Sequence, residues 1–587
     1  MEQVKGFFSK PLAIIISMVI ILIGSFVAYQ VQTDGGEMEI SDLRFTGEDG
    51  IVHSAQMYKP ANFNPEEEYP TIVNTHGYIN SREAQAPFSI ELAKRGYVVL
   101  TMDMTGHGYS EQFASDLSRG MTSGLLYAHN LPFVDNDQVG LAGHSMGGWS
   151  ALHAATTNPD LVNSVFQISS STETFGSGEV TADTAFNYGI LFSEYDEFAL
   201  TMWGVPKASD VNTSEKMLKV FGVDEPVEQE VVYGSFDDQS ARVFYAPPVI
   251  HPGTHWSNES IGHVIEFMDQ AMPAPTPIDA SDQSWKAKEL STLVALIGAI
   301  MLLIALLGNL LRAPFFSSLV RSMPESKAEP TMIGWIIGAL IATIIPAATF
   351  IYFQELGQGW LPAGEVLRQN ITTGLAVWAI LNAVIAAALL TIFHFRNKNN
   401  GGTMQNYGLI LDGKSLGKSV VYALTVVGLL YVTVSAAALF FGIDFRIWVM
   451  AFKPMSLTQF GLVLTYFIPF LIFFLVNGVI LHGQLRLKDS SSEKKTFWKW
   501  FSANFAINAL GIVGLLVIQY VTLFSTGELL WAKPLLTIVA YQFVFVNLIV
   551  AFVSTFLFRK TGTIYAAALV NAFLITWYIV AGQAMQI

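Results

Sequence analysis

Nine long runs of apolar residues limit what this chain can fold into, because each is long enough to cross a bilayer. A hydrocarbon core of about 30 Å needs about 20 residues of α-helix. Charged residues make up only 13% of the chain, against about 25% in a typical soluble domain. We therefore expect an all-α membrane domain with nine transmembrane helices in total. The runs lie at 12–28, 291–311, 331–353, 371–395, 419–442, 458–481, 503–524, 535–557 and 563–583.

The polar block between the first two runs differs in charge from the rest. Residues 31–288 contain 36 acidic and 12 basic residues, whereas the remainder contains 11 and 20. The net charge of −15 argues against nucleic acid as a partner, since phosphate binding needs a basic surface. The pattern predicts an anchor at 1–30, a folded polar domain at 37–270, a Pro- and Ala-rich linker at 271–288 and an eight-helix membrane domain at 289–587.

The distribution of basic residues predicts how the chain is oriented. If the N-terminus is cytoplasmic, the cytoplasmic segments hold sixteen Lys and Arg, beginning with Lys5 and Lys10. The outside connections between spans hold only Arg368, Arg446, Lys453 and Lys533. By the positive-inside rule, the polar domain and the C-terminus then lie outside the cytoplasm, in a multi-pass protein of the cell membrane. A cleaved signal peptide is the competing interpretation of the first run, but the run is long and lacks a small-residue cleavage site.

Short apolar strands alternate with helical stretches in the polar block. This alternation predicts a mostly parallel sheet with helices on both faces, and in such sheets ligands bind at the carboxyl ends of the strands. The predicted strands are 71–75, 97–102, 138–142, 162–168, 189–192 and 241–245, and the predicted helices include 83–95, 116–130 and 148–157.

Gly143-His144-Ser145-Met146-Gly147 carries the most specific chemistry in the block. It has the G-x-S-x-G pattern of a nucleophile elbow, and it lies between a predicted strand and a predicted helix. A serine on such a tight turn exposes its hydroxyl at the edge of the sheet. The amide of Met146 would then face the oxyanion that forms when the hydroxyl attacks. An incidental serine in a glycine-rich turn is the alternative.

With four further segments, the elbow resembles the α/β-hydrolase family. His76-Gly77 is similar to the turn whose next amide, here that of Tyr78, completes the oxyanion hole, and the segment 103–110 is similar to the D-x-x-G-x-G-x-S loop. The segments 192–197 and 252–256 resemble the turns that present the acid and the base, which assigns Asp196 and His255. The resemblance covers about residues 42–270 and is greatest to carboxylesterases and monoacylglycerol lipases.

The resemblance implies a triad of Ser145, His255 and Asp196. His255 would take the serine proton and return it to the leaving group, and Asp196 would orient the imidazole. This chemistry needs no metal and no cofactor. The alternatives that remain open are Glu194, Glu197, Asp237 and Asp238 for the acid and His251 and His263 for the base.

The segments after the elbow are too short for a large lid. Only about 20 residues separate two strands at 169–188, although 198–233 has room for one or two short helices. We therefore expect a site that is open or covered by the membrane domain. Isolated Asn and Gln in the spans, such as Asn382, Asn477 and Asn508, favour interhelical hydrogen bonds over a substrate path.

These patterns predict a membrane-embedded serine hydrolase that cleaves a lipid or other amphiphilic acyl ester outside the cytoplasm. Its expected partners are the ester substrate and the bilayer, and the sequence leaves protein partners open. The alternatives are a transporter or lipid-handling protein with an exported hydrolase-fold domain, a noncatalytic scaffold, and a serine peptidase or acyltransferase on the same fold.

Overall fold

A computed structural model describes residues 10–48, 50–112, 116–328, 331–399, 401–410 and 412–585. Lys5, which the orientation argument counts, lies outside these ranges. The strands are β1 (Glu39–Thr46), β2 (Val52–Lys59), β3 (Tyr69–Thr75), β4 (Val98–Met102), β5 (Val134–His144), β6 (Ser164–Ile168), β7 (Asn187–Leu191), β8 (Arg242–Tyr245), β9 (Phe445–Ile447) and β10 (Met450–Phe452).

The helices fall into a hydrolase-domain set and a longer, apolar set. They are α1 (Pro11–Gln32), α2 (Ala86–Lys94), α3 (Met121–His129), α4 (Met146–Thr157), α5 (Ala199–Trp203), α6 (Glu215–Phe221), α7 (Asn258–Ala271), α8 (Trp285–Leu310), α9 (Met332–Ala348), α10 (Phe350–Trp360), α11 (Asn370–Lys398), α12 (Gly413–Phe441), α13 (Leu457–Val479), α14 (Glu493–Thr526), α15 (Pro534–Thr561) and α16 (Tyr565–Ala581).

An eight-stranded sheet forms the centre of the hydrolase domain. Its order is β1-β2-β4-β3-β5-β6-β7-β8, and every pair from β4 to β8 is parallel. The two N-terminal strands are antiparallel and extend one edge. The predicted mostly parallel sheet is thus confirmed. Strands β1 and β2 were not predicted, because their residues are too polar to be recognised as buried strands.

Helices cover both faces of this sheet. On one face, Leu125 of α3 and Leu152 of α4 pack against Val73 and Leu141 of the sheet. On the other, α2 and α7 pack against residues that alternate with these along the strands, such as Ile72. Because successive side chains of a strand point to opposite faces, one run of apolar residues supplies both cores.

The helix predicted at 116–130 begins only at Met121. Asp116 accepts hydrogen bonds from the amides of Ser118 and Gly120, and so holds a turn in place of the first helical turn. Gly120 has φ 91°, a left-handed conformation that ends this turn and that a glycine adopts without strain. Local side-chain bonds of this kind compete with helix formation.

Seven helices among the described residues are long and apolar enough to cross a membrane, or eight if α9 and α10 form one span bent by 48°. The predicted count of nine is therefore not confirmed. The difference is α16, which corresponds to the run at 563–583 but has only 17 helical residues. These span about 26 Å at 1.5 Å per residue. Almost every residue of α16 is buried among the other helices.

The two helices that flank the hydrolase domain, α1 and α8, pack directly against each other. A Cβ atom on Gly24 would lie 2.6 Å from the backbone nitrogen of Ala295, and one on Gly298 would lie 2.9 Å from that of Ile21. Small residues thus let the two backbones approach closely, as is common between membrane helices. Both ends of the hydrolase domain are consequently held at one place.

The segment predicted as a linker is bound along the hydrolase domain. The Arg95 guanidinium donates to the carbonyl oxygens of Ile278, Asp279 and Asp282 at 2.6–3.1 Å. Glu91 accepts the amide of Trp285 at 2.8 Å, which fixes the start of α8. Glu91 lies on α2 and Arg95 directly follows it. Nothing in the sequence indicated that these two charged side chains bind the linker.

Candidate active site

Ser145 lies at the turn between β5 and α4 in a strained conformation. Its φ and ψ are 54° and −119°, which a residue with a side chain rarely adopts and which costs about 1–3 kcal/mol. The elbow glycines make this turn possible. A Cβ on Gly143 would lie 2.3 Å from the Gly147 backbone, and one on Gly147 would lie 2.5 Å from the carbonyl oxygen of His76. Residues held in such strained conformations are most common at functional sites.

Asp196 is paired with His251 rather than with His255. Asp196 follows β7, and its two carboxylate oxygens lie 2.9 and 3.0 Å from His251 Nδ1. The Phe198 amide donates to the same carboxylate at 3.0 Å. Both members of the pair are buried. An imidazole that donates through Nδ1 keeps Nε2 as the nitrogen that can accept a proton.

The predicted pairing of Asp196 with His255 is therefore wrong, and His251, kept open as an alternative, occupies that place. Both histidines lie in the 3₁₀ helix His251–Trp256 after β8 and both face the same cavity. Spacing alone could not decide between them, because the path of the loop after β8 determines which ring reaches the end of β7. The G-x-H turn instead places His255 near Gln85, with 3.5 Å between their Nε2 atoms.

His255 lies in an environment that keeps it neutral. Its ring is edge-on to His144 at 4.2 Å between centroids and to Phe88 at 5.7 Å. Burial, and then the nearby His251 and Arg446, lower the pKa of His255 to about 3. A histidine with so low a pKa is a poor general base near neutral pH. His263, the third candidate, stacks on Tyr245 away from these residues.

The carboxylate next in sequence, Glu197, joins the histidine loop to the membrane domain. One of its oxygens accepts the backbone amide of His251 at 2.7 Å, and the other accepts the hydroxyl of Tyr520 on α14 at 2.6 Å. Burial and the neighbouring Asp196 raise the pKa of Glu197 to about 7. From the sequence, Glu197 was only an alternative to Asp196 as the acid of the triad, and no feature of the sequence indicated its contact with Tyr520.

The loops after β3 and β4 are held together by hydrogen bonds of His76 and Asp103. His76 bridges its own turn to the next loop, since Nδ1 lies 2.8 Å from the Gly77 carbonyl oxygen and Nε2 accepts the Met104 amide at 3.2 Å. Asp103 accepts the amides of Arg82 and Tyr109. Tyr78 and Met146, the predicted oxyanion-hole residues, line the same cavity as Ser145.

This cavity has a volume of about 390 Å³, and the membrane domain forms its outer wall. Ser145, His251 and His255 lie on the hydrolase side. The opposite wall consists of Glu289 from α8, Arg446, Trp448 and Val449 from the β9–β10 hairpin, and Leu535, Ile538 and Gln542 from α15. Of the short helices, α5 contributes Thr201 to this lining and α6 contributes no residue. Of the two arrangements that the sequence left open, the structure therefore has the cover by the membrane domain.

Buried charges fix the hairpin over the site. Lys453 Nζ lies 2.5 Å from Ser81 Oγ and 3.4 Å from the Glu83 carboxylate. Burial alone would raise the pKa of Glu83, but Lys453 and then Arg82 outweigh it and lower the pKa well below its usual value. Trp448 Nε1 donates to the carbonyl oxygen of Pro252, within the loop that carries His251. Removing one member of such a buried pair typically costs about 3–5 kcal/mol.

We find no candidate metal site in the part of the chain that the structure describes. Within those residues, no group of three or more histidine, aspartate or glutamate side chains is arranged to hold a metal ion. Besides Ser145, the cavity lining carries three imidazoles (His144, His251 and His255), two carboxylates (Glu83 and Glu289) and two guanidinium groups (Arg119 and Arg446).

Comparisons with known proteins agree with the fold. Residues 70–198 match the family model described as alpha/beta hydrolase fold. The chain is 28% identical over 109 residues to a probable dipeptidyl-aminopeptidase B of Grosmannia clavigera, covering 16% of this chain and 11% of that protein. It is 28% identical over 121 residues to an uncharacterized peptidase of Bacillus subtilis, covering 18% of each. The chain thus spans less than a fifth of the length of these relatives.

A solved structure of an esterase from Pyrococcus furiosus is similar over 40% of this chain and 94% of that chain, with 16% identity and a TM-score of 0.29. The matched family segment includes Ser145 and Asp196 and ends before His251.

The raised pKa of Glu197 predicts a pH dependence of stability. An unfolded glutamate has a pKa of about 4.3. As the pH rises above that value, the unfolded state therefore loses this proton before the folded state does. The free energy of unfolding should therefore fall between about pH 4.5 and pH 7, by up to about 1.4 kcal/mol per pH unit. Glu197→Gln removes this slope, so its Tm relative to wild type should increase over that range.

The measurement is the Tm of the detergent-solubilised full chain at several pH values. Glu194→Gln is the matched control, because Glu194 is exposed and only three residues away. A constant Tm difference between wild type and Glu197→Gln from pH 5 to pH 7 would contradict the assignment.

Proposed function

We propose that this chain is a membrane-embedded serine hydrolase that cleaves an acyl ester with Ser145, His251 and Asp196. The observation that carries the proposal is the strained Ser145 in one buried cavity with a histidine whose Nδ1 is held by a buried aspartate. In such an arrangement the aspartate orients the imidazole and stabilises its charged form. The substrate is a lipid or other amphiphilic ester, since the cavity is enclosed partly by apolar membrane helices.

The reaction follows from these residues. His251 Nε2 takes the proton of Ser145 Oγ as the oxygen bonds to the ester carbonyl carbon. The amides of Met146 and Tyr78 hold the oxyanion, and each donor of this kind contributes about 10²–10³ in rate. His251 then returns the proton to the departing alcohol, which leaves an acyl-enzyme. Water, activated by the same imidazole, releases the acid and restores the serine.

A peptidase is the second candidate, and two observations favour it. The curated relatives are peptidases, one of them named for action at an amino terminus. In the cavity wall, the buried Glu289 binds Lys288 through Oε1, whereas Oε2 has no hydrogen-bond partner among the described residues. A carboxylate oxygen in that position suits the ammonium group of a free N-terminus.

The test of the proposed triad is the rate of Ser145 labelling by ethyl fluorophosphonate, together with turnover of a short-chain nitrophenyl ester. Ser145→Ala should abolish labelling, and His251→Ala should lower turnover by about 10⁴-fold or more. His255→Gln should cost at most about tenfold, because the proposal gives its ring no proton to transfer.

A larger loss of turnover in His255→Gln than in His251→Ala would contradict the proposal. A comparison of an aminoacyl nitroanilide with its N-acetylated form decides between the two substrates. Turnover that needs the free amine, and that falls in Glu289→Gln, favours the peptidase.

We further propose that the hydrolase domain lies outside the cytoplasm. The asymmetry of basic residues supports this orientation. Because the chain has no cysteine, a single introduced cysteine reports its own side of the membrane. In intact cells, an impermeant maleimide should label Glu225→Cys on the hydrolase surface, and it should label Lys398→Cys only after permeabilisation. Labelling of Lys398→Cys alone in intact cells would reverse the orientation.

A further inference from the structure

A second cavity, of about 430 Å³, lies within the membrane domain. It is enclosed by α9, α11, α13, α14 and α15, and residues of the hydrolase domain do not contribute to its lining. Its walls are mainly aliphatic and aromatic, and its volume is within the range of about 300–1,000 Å³ that small-molecule pockets have. The mechanism proposed above does not use this space.

The asparagines in the cavity wall bond to the protein itself. Asn477 Nδ2 donates to Asn508 Oδ1 at 3.1 Å, and Asn547 Nδ2 donates to the Asn508 carbonyl oxygen at 3.0 Å. Asn382 Nδ2 donates to the Trp378 carbonyl oxygen at 2.9 Å. The first two bonds join α13, α14 and α15, whereas the bond of Asn382 lies within α11; all three are made within the protein. The surface offered to a ligand is therefore chiefly apolar, which suits a hydrocarbon chain.

This second cavity opens sideways, toward the region that lipid would occupy. Ile337 on α9 and Ile392 on α11 both line it, and they are 53% and 59% exposed, so this side of the cavity is not closed by other helices. Thr343 of α9 donates to the Ile507 carbonyl oxygen of α14, so α9 is held on that side. The opening lies between α9 and α11, and a chain from the bilayer can reach the cavity there without crossing water.

Helix α15 places the two cavities end to end. Its first two turns, from Leu535 to Gln542, face the catalytic cavity, and its next two, from Phe543 to Val550, face the intramembrane cavity. These residues extend over about 22 Å at 1.5 Å per residue. The boundary falls at Gln542, whose side-chain oxygen accepts the Tyr578 hydroxyl at 2.6 Å. One helix thus forms a wall common to the reacting serine and to the apolar chamber.

We propose that the intramembrane cavity receives the hydrocarbon chain of the substrate while the ester group lies at Ser145. The inference rests on the proposed hydrolase function and specifies its substrate: a long-chain amphiphile that enters from the bilayer between α9 and α11. The Gln542–Tyr578 contact is then the point where the chain passes from one cavity to the other.

The first experiment uses the wild-type full chain in nanodiscs and a hexadecyl fluorophosphonate with a diazirine at the end of its chain. Ser145 Oγ bonds to phosphorus as fluoride leaves, which fixes one end of the probe. Irradiation expels nitrogen from the diazirine, and the resulting carbene inserts into whatever the chain end touches. Crosslinks on the cavity walls of α11, α13 and α15 are expected. Crosslinks confined to the hydrolase domain or to lipid would overturn the inference.

The second experiment fills the cavity with Ala386→Trp and compares it with Ala388→Trp. Ala386 lines the cavity, whereas Ala388 is on the same helix, exposed and outside the lining. The Ala386 variant should slow Ser145 labelling by hexadecyl fluorophosphonate at least about tenfold, because each methylene denied burial costs about fourfold. Labelling by the ethyl probe should be unchanged, and the control variant should behave as wild type with both probes.

The outcomes separate this inference from the proposed function. Equal hexadecyl rates in both tryptophan variants would overturn the cavity assignment and leave the hydrolase intact. Failure of the ethyl probe to label wild-type Ser145 would instead overturn the proposed function. If Ala386→Trp loses ethyl labelling as well, the variant has lost its fold, and the crosslinking map of the wild-type chain decides.

Discussion

Two adjacent buried carboxylates hold the site together, and each depends on a different domain. Asp196 binds the imidazole of His251, and Glu197 binds the backbone of the same histidine on one side and Tyr520 on the other. Two such charges side by side are unfavourable unless each finds donors; burial, and then the neighbouring Asp196, raise the pKa of Glu197 to about 7. The donor that Glu197 needs comes from α14, so the histidine loop is held in place partly by the membrane domain.

The membrane domain therefore has the role that a lid has in a soluble enzyme. It supplies the outer wall of the cavity, a tryptophan hydrogen bond to the histidine loop and a buried Lys453 that pairs with Glu83. The hairpin that carries most of these contacts is short, with three residues of β10 paired to three of β9. The α1–α8 pair holds both ends of the hydrolase domain. A cover built this way takes the place of a separate cap domain.

The sequence was most informative where the chemistry is local. The elbow around Ser145 and the loop at Asp103 are short segments whose residue types are required by backbone geometry, so both could be predicted. The pairing of Asp196 could not, because His251 and His255 are four residues apart on one 3₁₀ helix and the loop path decides between them. Cover by the membrane domain was one of two arrangements that the sequence left open, but its contacts could not be predicted, since Tyr520 lies 323 residues from Glu197 and Trp448 lies 196 residues from Pro252.

If the membrane domain completes the catalytic site, loss of the contact between Tyr520 and Glu197 should slow the reaction of Ser145. In Tyr520→Phe the ring and its packing remain, but Glu197 loses its donor, which typically costs about 1–3 kcal/mol for a buried acceptor. The decisive measurement is the rate at which ethyl fluorophosphonate labels Ser145 in this variant, with Tm recorded in parallel. We expect a rate at least about fivefold lower than that of wild type at a pH above 7, where Glu197 is ionised. An unchanged rate across that pH range would contradict it.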